Sequence, residues 1–176
     1  MSLNQNLQLQ GTLYIVSTPI GNLRDITFRA IDTLKDVSLI ACEDTRITSK
    51  LMQHYQIKTP MISYNDHNAP KKRPKLLERM RTGEKIALVS DAGTPLISDP
   101  GFKLVQMCME EGIRIIPIPG ASAILGALVA SGIPTDKFMF IGFLPTKKSR
   151  IIEIVNKFEY LETTLILFET PKRLKK

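Results

Sequence analysis

The stretch from Val89 to Gly101 reads V-S-D-A-G-T-P-L-I-S-D-P-G, and it constrains the fold more than any other part of the chain. Before it stands Lys85 to Ser90 (K-I-A-L-V-S), short and rich in branched apolar residues, as a strand buried on both faces is. After it, Phe102 to Glu111 carries helical spacing that Gly112 closes. A strand that hands over to a helix through a long polar turn is the unit of a parallel sheet, and in such sheets ligands bind outside the carboxyl ends of the strands. Gly93, Gly101, Ala92, Pro95 and Pro100 give that turn a shape that lets backbone amides approach a ligand. Asp91, Thr94, Ser98 and Asp99 set acceptors and hydroxyls on one rim, which suits a ligand with hydroxyls and a positive centre. A polyphosphate site would favour a lysine here, and the loop has none. The same residues also make a plain Pro/Gly-rich turn that caps a helix and binds nothing.

The handover recurs along the chain. Thr12 to Ser17 (T-L-Y-I-V-S) reads as a buried strand ending in the tight loop Thr18-Pro19-Ile20-Gly21-Asn22. Asp25 or Thr27 caps the next helix, whose apolar face is Ile26, Ala30, Leu34 and Val37. Strand Ser38 to Cys42 then runs into Glu43-Asp44-Thr45-Arg46 and a helix with Ile47, Leu51 and Tyr55 on one side. Adjacent acids at a strand end are either site chemistry or charge compensation at a helix amino terminus. Met61 to Tyr64 is a short strand before the polar turn Asn65-Asp66-His67-Asn68, where His67 is a base or simply a solvated side chain. Ile113 to Ile118 is another strand, followed by Pro119-Gly120-Ala121-Ser122-Ala123 and a very apolar helix, Ile124 to Val129. This alternation predicts a mostly parallel sheet covered on both faces.

Beyond Pro134 the rhythm changes to strand Lys137 to Phe143, amphipathic helix Thr146 to Leu161 and strand Thr164 to Glu169. A domain boundary is expected at about Pro119 to Pro134, giving domains 1–118 and 119–176. The second has too few strands to close a sheet alone, so it is expected to associate through its apolar surface or to stay weakly protected.

Composition narrows the partners. No apolar run has the length of a membrane span, and Met1 to Gln10 lacks the apolar core of a signal peptide, so the cytoplasm is the expected location. Cys42 and Cys108 fall in a strand and a helix and read as buried free thiols; with His54 and His67 they show no metal-ligand spacing, so no metal is expected. A formal net charge of +7 favours an anionic partner such as nucleic acid. The cations are densest in Ala69 to Arg81, where Lys71, Lys72, Arg73, Lys75, Arg79 and Arg81 face only Glu78, and Leu76, Leu77 and Met80 supply the buried side. A solvated helix face and a contact surface for a phosphate backbone both fit, and the scarcity of acids favours the second.

Read together, G-T-L-Y-I-V-S-T-P-I-G-N-L (Gly11 to Leu23), E-D-T-R (Glu43 to Arg46), Y-N-D-H-N (Tyr64 to Asn68), the Val89 to Gly101 loop, P-G-A-S-A (Pro119 to Ala123) and G-F-L-P (Gly142 to Pro145) resemble the tetrapyrrole-methylase type of S-adenosylmethionine-dependent methyltransferase. More narrowly, they resemble its branch of 2'-O-ribose methyltransferases acting on a cytidine of small-subunit ribosomal RNA. The resemblance implies a fold of two α/β domains with the methyl donor in the cleft between them, S-adenosylmethionine as cofactor, ribosomal RNA or the small ribosomal subunit as partner, and a homodimer. Carried over residue by residue, it implies donor contacts at Pro19, Gly21, Asp91, Gly93, Thr94, Pro95, Ile97, Ser122, Ala123 and Phe168. A sulfonium cation beside carboxylates and carbonyls agrees with that assignment.

Methylation of a hydroxyl is helped by a base, and Glu43, Asp44 and His67 are the candidates; Arg46 with Lys71, Lys72, Arg73 and Lys75 would hold RNA phosphates. The family continues past P-K-R (Pro171 to Arg173), whereas this chain stops at Lys176. The second domain is therefore expected to be incomplete, with Leu165 to Glu169 exposing an edge and Lys172, Arg173, Lys175 and Lys176 forming an RNA-facing or frayed basic end. Two other functions fit the same loops: a small-molecule methylase of the tetrapyrrole type, and an RNA-binding module without a working donor site.

Overall fold

A computed structural model describes residues 11–174; the Met1 to Gln10 segment and the cations Lys175 and Lys176 lie outside the described residues. The chain divides into two compact units, one running to Ser122 and the other beginning at Ala123.

In the first unit, strands and helices alternate as β1 (Thr12–Val16), α1 (Phe28–Asp36), β2 (Leu39–Cys42), α2 (Thr45–His54), β3 (Met61–Ser63), α3 (Ala69–Arg81), β4 (Lys85–Val89), α4 (Phe102–Glu110) and β5 (Arg114–Ile118). The five strands form one sheet in the order β3-β2-β4-β1-β5, every neighbouring pair parallel. Strand β4 is central, and its alternation divides the core: Ile86 and Leu88 join Leu13, Leu76, Leu77, Met80 and Leu104 on one face. Ala87 and Val89 join Val16, Leu34, Ile40, Leu51 and Met52 on the other. Helices thus cover both faces, as the alternation predicts. Cys42 and Cys108 are free and buried in these layers.

Local signals explain where the helices begin and end. Thr27, not Asp25, caps α1 by accepting from the Ala30 amide at 3.1 Å, because Asp25 belongs to the short 3-10 turn Leu23–Asp25 that precedes it. Asp44 caps α2, and Gly112 lies just past α4 with φ of 68°, the left-handed conformation that ends a helix at least cost for glycine. The buried face of α2 is Thr48, Leu51 and Met52, whereas Ile47 is exposed. A stripe through 48, 51, 52 and 55 has the same period as one through 47, 51 and 55, so spacing alone does not separate them; the packing does.

In the second unit, α5 (Ala123–Ala130) precedes β6 (Phe138–Phe143), α6 (Lys148–Phe158) and β7 (Thr164–Phe168). Strands β6 and β7 pair in parallel from Phe138↔Thr164 to Phe140↔Ile166, with a register shift before Phe143↔Phe168 where Gly142 takes φ of 73°. Phe168 packs edge-on against Phe140 and Phe143, at ring centroid distances of 4.7 and 5.5 Å. The Arg173 guanidinium donates to the Leu144 and Pro145 carbonyls at 3.0 and 2.8 Å and pairs with Glu169. It therefore ties the end of this unit to the turn after β6 and is not a free cation.

Candidate active site

Because all strands of the larger sheet are parallel, their carboxyl ends share one edge, and the loops Ser17 to Asn22, Glu43 to Asp44, Tyr64 to Asn68, Ser90 to Gly101 and Pro119 to Ser122 all leave from it. The loops after β1 and β4 are locked together. Thr18 donates its amide to the Gly93 carbonyl at 2.8 Å and Gly93 returns the bond at 3.1 Å. The Thr18 hydroxyl donates to the Ser90 carbonyl, and the Ser17 and Thr94 hydroxyls lie 2.9 Å apart. Gly93 has φ of +81°, and a Cβ there would make only ordinary contact with Ile20, so backbone conformation and not space is what requires glycine.

The long loop carries further left-handed residues, Leu96 (φ 73°) and Ser98 (φ 64°), before Gly101 at φ +136°. Leu96 packs against the core, and a Cβ on Gly101 would meet the Leu88 side chain at 2.7 Å and Leu96 at 3.1 Å, so the end of the loop lies close against the core. Pro19 and Asp91 line a small pocket with Thr18, Leu23, Ile47 and Ser90.

The structure thus brings Pro19, Asp91, Gly93 and Thr94 into one cluster. Pro95 is buried in the loop, Gly21 and Ile97 sit on the exposed rim, and Ser122 ends the last loop of this edge. Ala123 and Phe168 belong to the other unit. Ser17, Thr18 and Ser90, buried hydroxyls that join the two loops, are absent from the residues expected from sequence. Their signal was present as a hydroxyl residue ending each apolar run.

The acids separate by environment. Burial, and then the negative charges of Asp91 and Asp99, push the Glu43 carboxyl above its ordinary range, while an Asp91 backbone hydrogen bond offsets part of the rise. Asp99 is raised by burial first; the Ser90 hydroxyl offsets part of that effect. Asp44 goes the other way, down to about 2, because Arg46 donates to both of its oxygens and its backbone amide adds a further bond. Its own amide donates to Asp91 at 3.1 Å, so the β2 and β4 loops are also joined. His67 is exposed and makes no side-chain hydrogen bond to a described residue.

The cations of α3 also divide. Arg79 pairs with Glu84, and Arg81 with Glu78 and Glu111, so its carboxyl-terminal cations are compensated. Lys72 donates to the Ser63 carbonyl at 2.7 Å and Arg73 to the Tyr64 hydroxyl at 3.4 Å, whereas Lys71 and Lys75 are exposed. No acid stands in the first turn of α3. Lysines and an arginine at a helix amino terminus oppose the helix dipole, an arrangement that helix stability does not explain.

Residues 12–176 match the family Tetrapyrrole (Corrin/Porphyrin) Methylases, and the chain belongs to that family. It is 55% identical over 164 residues to a ribosomal RNA small subunit methyltransferase I of Synechocystis sp., covering 93% of this chain and 59% of that protein. It is 50% identical to the protein of the same name from Escherichia coli O157:H7, covering 94% and 58%. The chain therefore spans a little under three fifths of these curated relatives. Among solved structures, diphthine synthase superposes with a TM-score of 0.71 at 13% identity, covering 92% of this chain and 65% of that one. A uroporphyrin-III C-methyltransferase from Thermus thermophilus complexed with S-adenyl homocysteine superposes with a TM-score of 0.55 at 19% identity, covering 77% and 60%. These likenesses establish the shared fold, and the family resemblance read from the ordered motifs is borne out.

Proposed function

We propose that this chain takes part in S-adenosylmethionine-dependent methylation of small-subunit ribosomal RNA at the 2'-hydroxyl of a cytidine ribose. The observation that carries the reading is a rigid, hydrogen-bonded pair of loops edged by carboxylates, in the same unit as a helix whose leading cations have no acidic partner among the described residues. The relatives' name narrows the substrate to ribosomal RNA, which would put the reaction in the cytoplasm with the ribosomes. A homodimer of the longer protein is part of the same proposal.

The loops fit the donor. Asp91 and the neighbouring Glu43 and Asp99 favour a cationic centre electrostatically, and the Thr18–Gly93 bridge fixes the backbone around which it would be held. Pro19, Gly21, Asp91, Gly93, Thr94, Pro95 and Ile97 would hold it from this unit, with Ser122, Ala123 and Phe168 as the remaining contacts. When bound, S-adenosylmethionine supplies an electrophilic methyl group.

What the chain's own residues add is position and a proton acceptor. Glu43, with a raised carboxyl and no cationic partner among the described residues, is the best of the candidate bases, since a base closer to neutrality accepts a hydroxyl proton more readily. Asp44, depressed by Arg46, is a weak acceptor and serves to hold the start of α2. Lys71 and Lys75 would neutralise RNA phosphates, with Arg46, Lys72 and Arg73 secondary because each already has a partner.

Titration of the 176-residue chain with S-adenosylmethionine, paired with transfer of labelled methyl to a small-subunit ribosomal RNA fragment, tests the reading. Donor binding that survives Glu43→Gln while transfer falls by about a hundredfold or more supports it. A chain that binds the RNA but no donor is a binding module, and transfer to a tetrapyrrole but not to RNA makes it a small-molecule methylase.

A further inference from the structure

Apart from the pocket beneath Pro19 and Asp91, a second cavity of about 370 Å³ opens between the turn after β3 and the start of α4. Its chemistry is unlike that of the donor loops. Phe102, the first residue of α4, lines it and is 63% exposed, more than Ile97 in the preceding loop at 43%. Lys103 stands next to it, exposed and without an acidic partner among the described residues. Arg73 reaches the same cavity from α3; its Nε donates to the Tyr64 hydroxyl, and its terminal nitrogens make no hydrogen bond to a described residue. Asp66 and Asp99 also line it.

An exposed ring in one cavity with two cations and two carboxylates has the parts of a single-stranded nucleotide subsite. Unpaired bases stack on aromatic faces irrespective of sequence, and cations neutralise the backbone. The carboxylates of Asp66 and Asp99 repel phosphate while Arg73 and Lys103 attract it, so the backbone is drawn to the cations and the ring is left to the base.

We infer that this cavity holds one nucleotide of a single-stranded RNA, its base against Phe102 and its phosphate between Arg73 and Lys103. This rests on the RNA-methyltransferase reading and deepens it, because it names where unpaired substrate RNA is gripped. A splayed base stacked on an aromatic ring fixes the register of the single strand, and with it the position of the neighbouring ribose hydroxyls.

The test is fluorescence-monitored binding of a short labelled oligocytidylate to the 176-residue chain across a salt series, with the parent, Phe102→Ala, Phe102→Trp and Lys103→Ala. Both side chains are exposed, so the variants should keep the parent's thermal midpoint and circular dichroism. Phe102→Ala should weaken binding about tenfold with an unchanged salt slope, and Phe102→Trp should stay close to the parent. Lys103→Ala should instead lower the salt slope by about one. Parental affinity in Phe102→Ala, or a Phe102→Trp as weak as Phe102→Ala, overturns the subsite while leaving the broader reading intact. A parent chain with no salt-dependent affinity for the RNA overturns both.

Discussion

Strands β4 and β7 are written in nearly the same alphabet, K-I-A-L-V and T-L-I-L-F, and they meet opposite fates. β4 has a parallel partner on each side and helices on both faces, and Leu88 within it is 1% exposed. Among the described residues β7 pairs only with β6, and Leu167 within it is 39% exposed. Among the described residues from Ala123 on, Leu128 alone is a buried hydrophobic, whereas the unit ending at Ser122 holds the rest. Local pattern makes a strand in both cases; the number of neighbours decides whether that strand becomes core. The candidate site follows the same division, since the loops with the strained backbone and the interlocking hydrogen bonds sit on the well-packed sheet. Preorganised loops need a scaffold that does not yield.

The largest expected effect breaks or confirms that contrast directly. Leu88→Ala should destabilise the larger unit by about 3 kcal/mol, as cavities in packed cores do, while Leu167→Ala should cost less than about 1 kcal/mol. Residue-resolved hydrogen exchange read against urea should show β1 and β4 among the slowest amides and β6 and β7 exchanging before them. Equal protection in the two sheets would mean that the smaller unit closes its own core.

A smaller effect asks how far the rigidity extends into the loop. Gly101→Ala places a Cβ 2.7 Å from the Leu88 side chain and 3.1 Å from Leu96, at a φ that alanine rarely adopts. Gly21→Ala meets nothing within 4 Å and carries only the strain of its φ. Thermal denaturation should show Gly101→Ala losing about 2 kcal/mol and Gly21→Ala about half that. If the two lose the same, crowding against the core contributes nothing and the loop is soft.

Helix starts give a third and finer comparison. α1 has its Thr27 cap, whereas α6 begins after Lys147, whose backbone is extended but whose side chain caps nothing. Thr27→Ala should cost about 1 kcal/mol, and Lys147→Ser should gain somewhat less, both read from denaturation midpoints. A gain at Lys147 would show that the smaller unit is limited by local ends as well as by its few strands.

Much of this was legible in sequence because it is local. The strands fell where short apolar runs end in hydroxyl or small residues, Gly112 stopped α4, and the ordered loops disclosed the family. What stayed hidden depends on residues far apart in the chain. Nothing near Thr18 announces that it pairs with Gly93, and the strand order that puts β4 between β2 and β1 is set by packing. The basic helix shows the same limit: Lys71 and Lys72 are adjacent and alike in sequence, yet Lys72 is held by the Ser63 carbonyl while Lys71 is exposed. Glu43 and Asp44 likewise read as an undivided pair until the Arg46 contact and the burial of Glu43 are seen.

That pair supplies the smallest effect, and its two halves have opposite signs. Asp44 titrates at about 2 in the folded protein against an ordinary 3.8, so its ion pair stabilises the fold above that ordinary value and the contribution disappears as pH falls through about 2. Asp44→Asn should therefore be less stable than the parent at neutral pH, with the gap shrinking as pH drops below 3.8. Glu43 is raised above 4.5, so the native state favours its proton and the ionised form works against folding. That penalty is fully present above the raised folded value and is relieved as pH falls to 4.5. Glu43→Gln should accordingly be more stable than the parent at neutral pH and equal to it below 4.5. Paired urea titrations of both variants from neutral to acid pH measure the two signs on one axis. A Glu43→Gln chain less stable than the parent at neutral pH would show that the carboxylate is held by favourable contacts, and Glu43 would then lose its standing as the proton acceptor. The expected result is the reverse: a carboxylate kept next to Asp91 and Asp99 at the expense of stability, in the unit that otherwise packs most tightly, as a residue retained for chemistry should be.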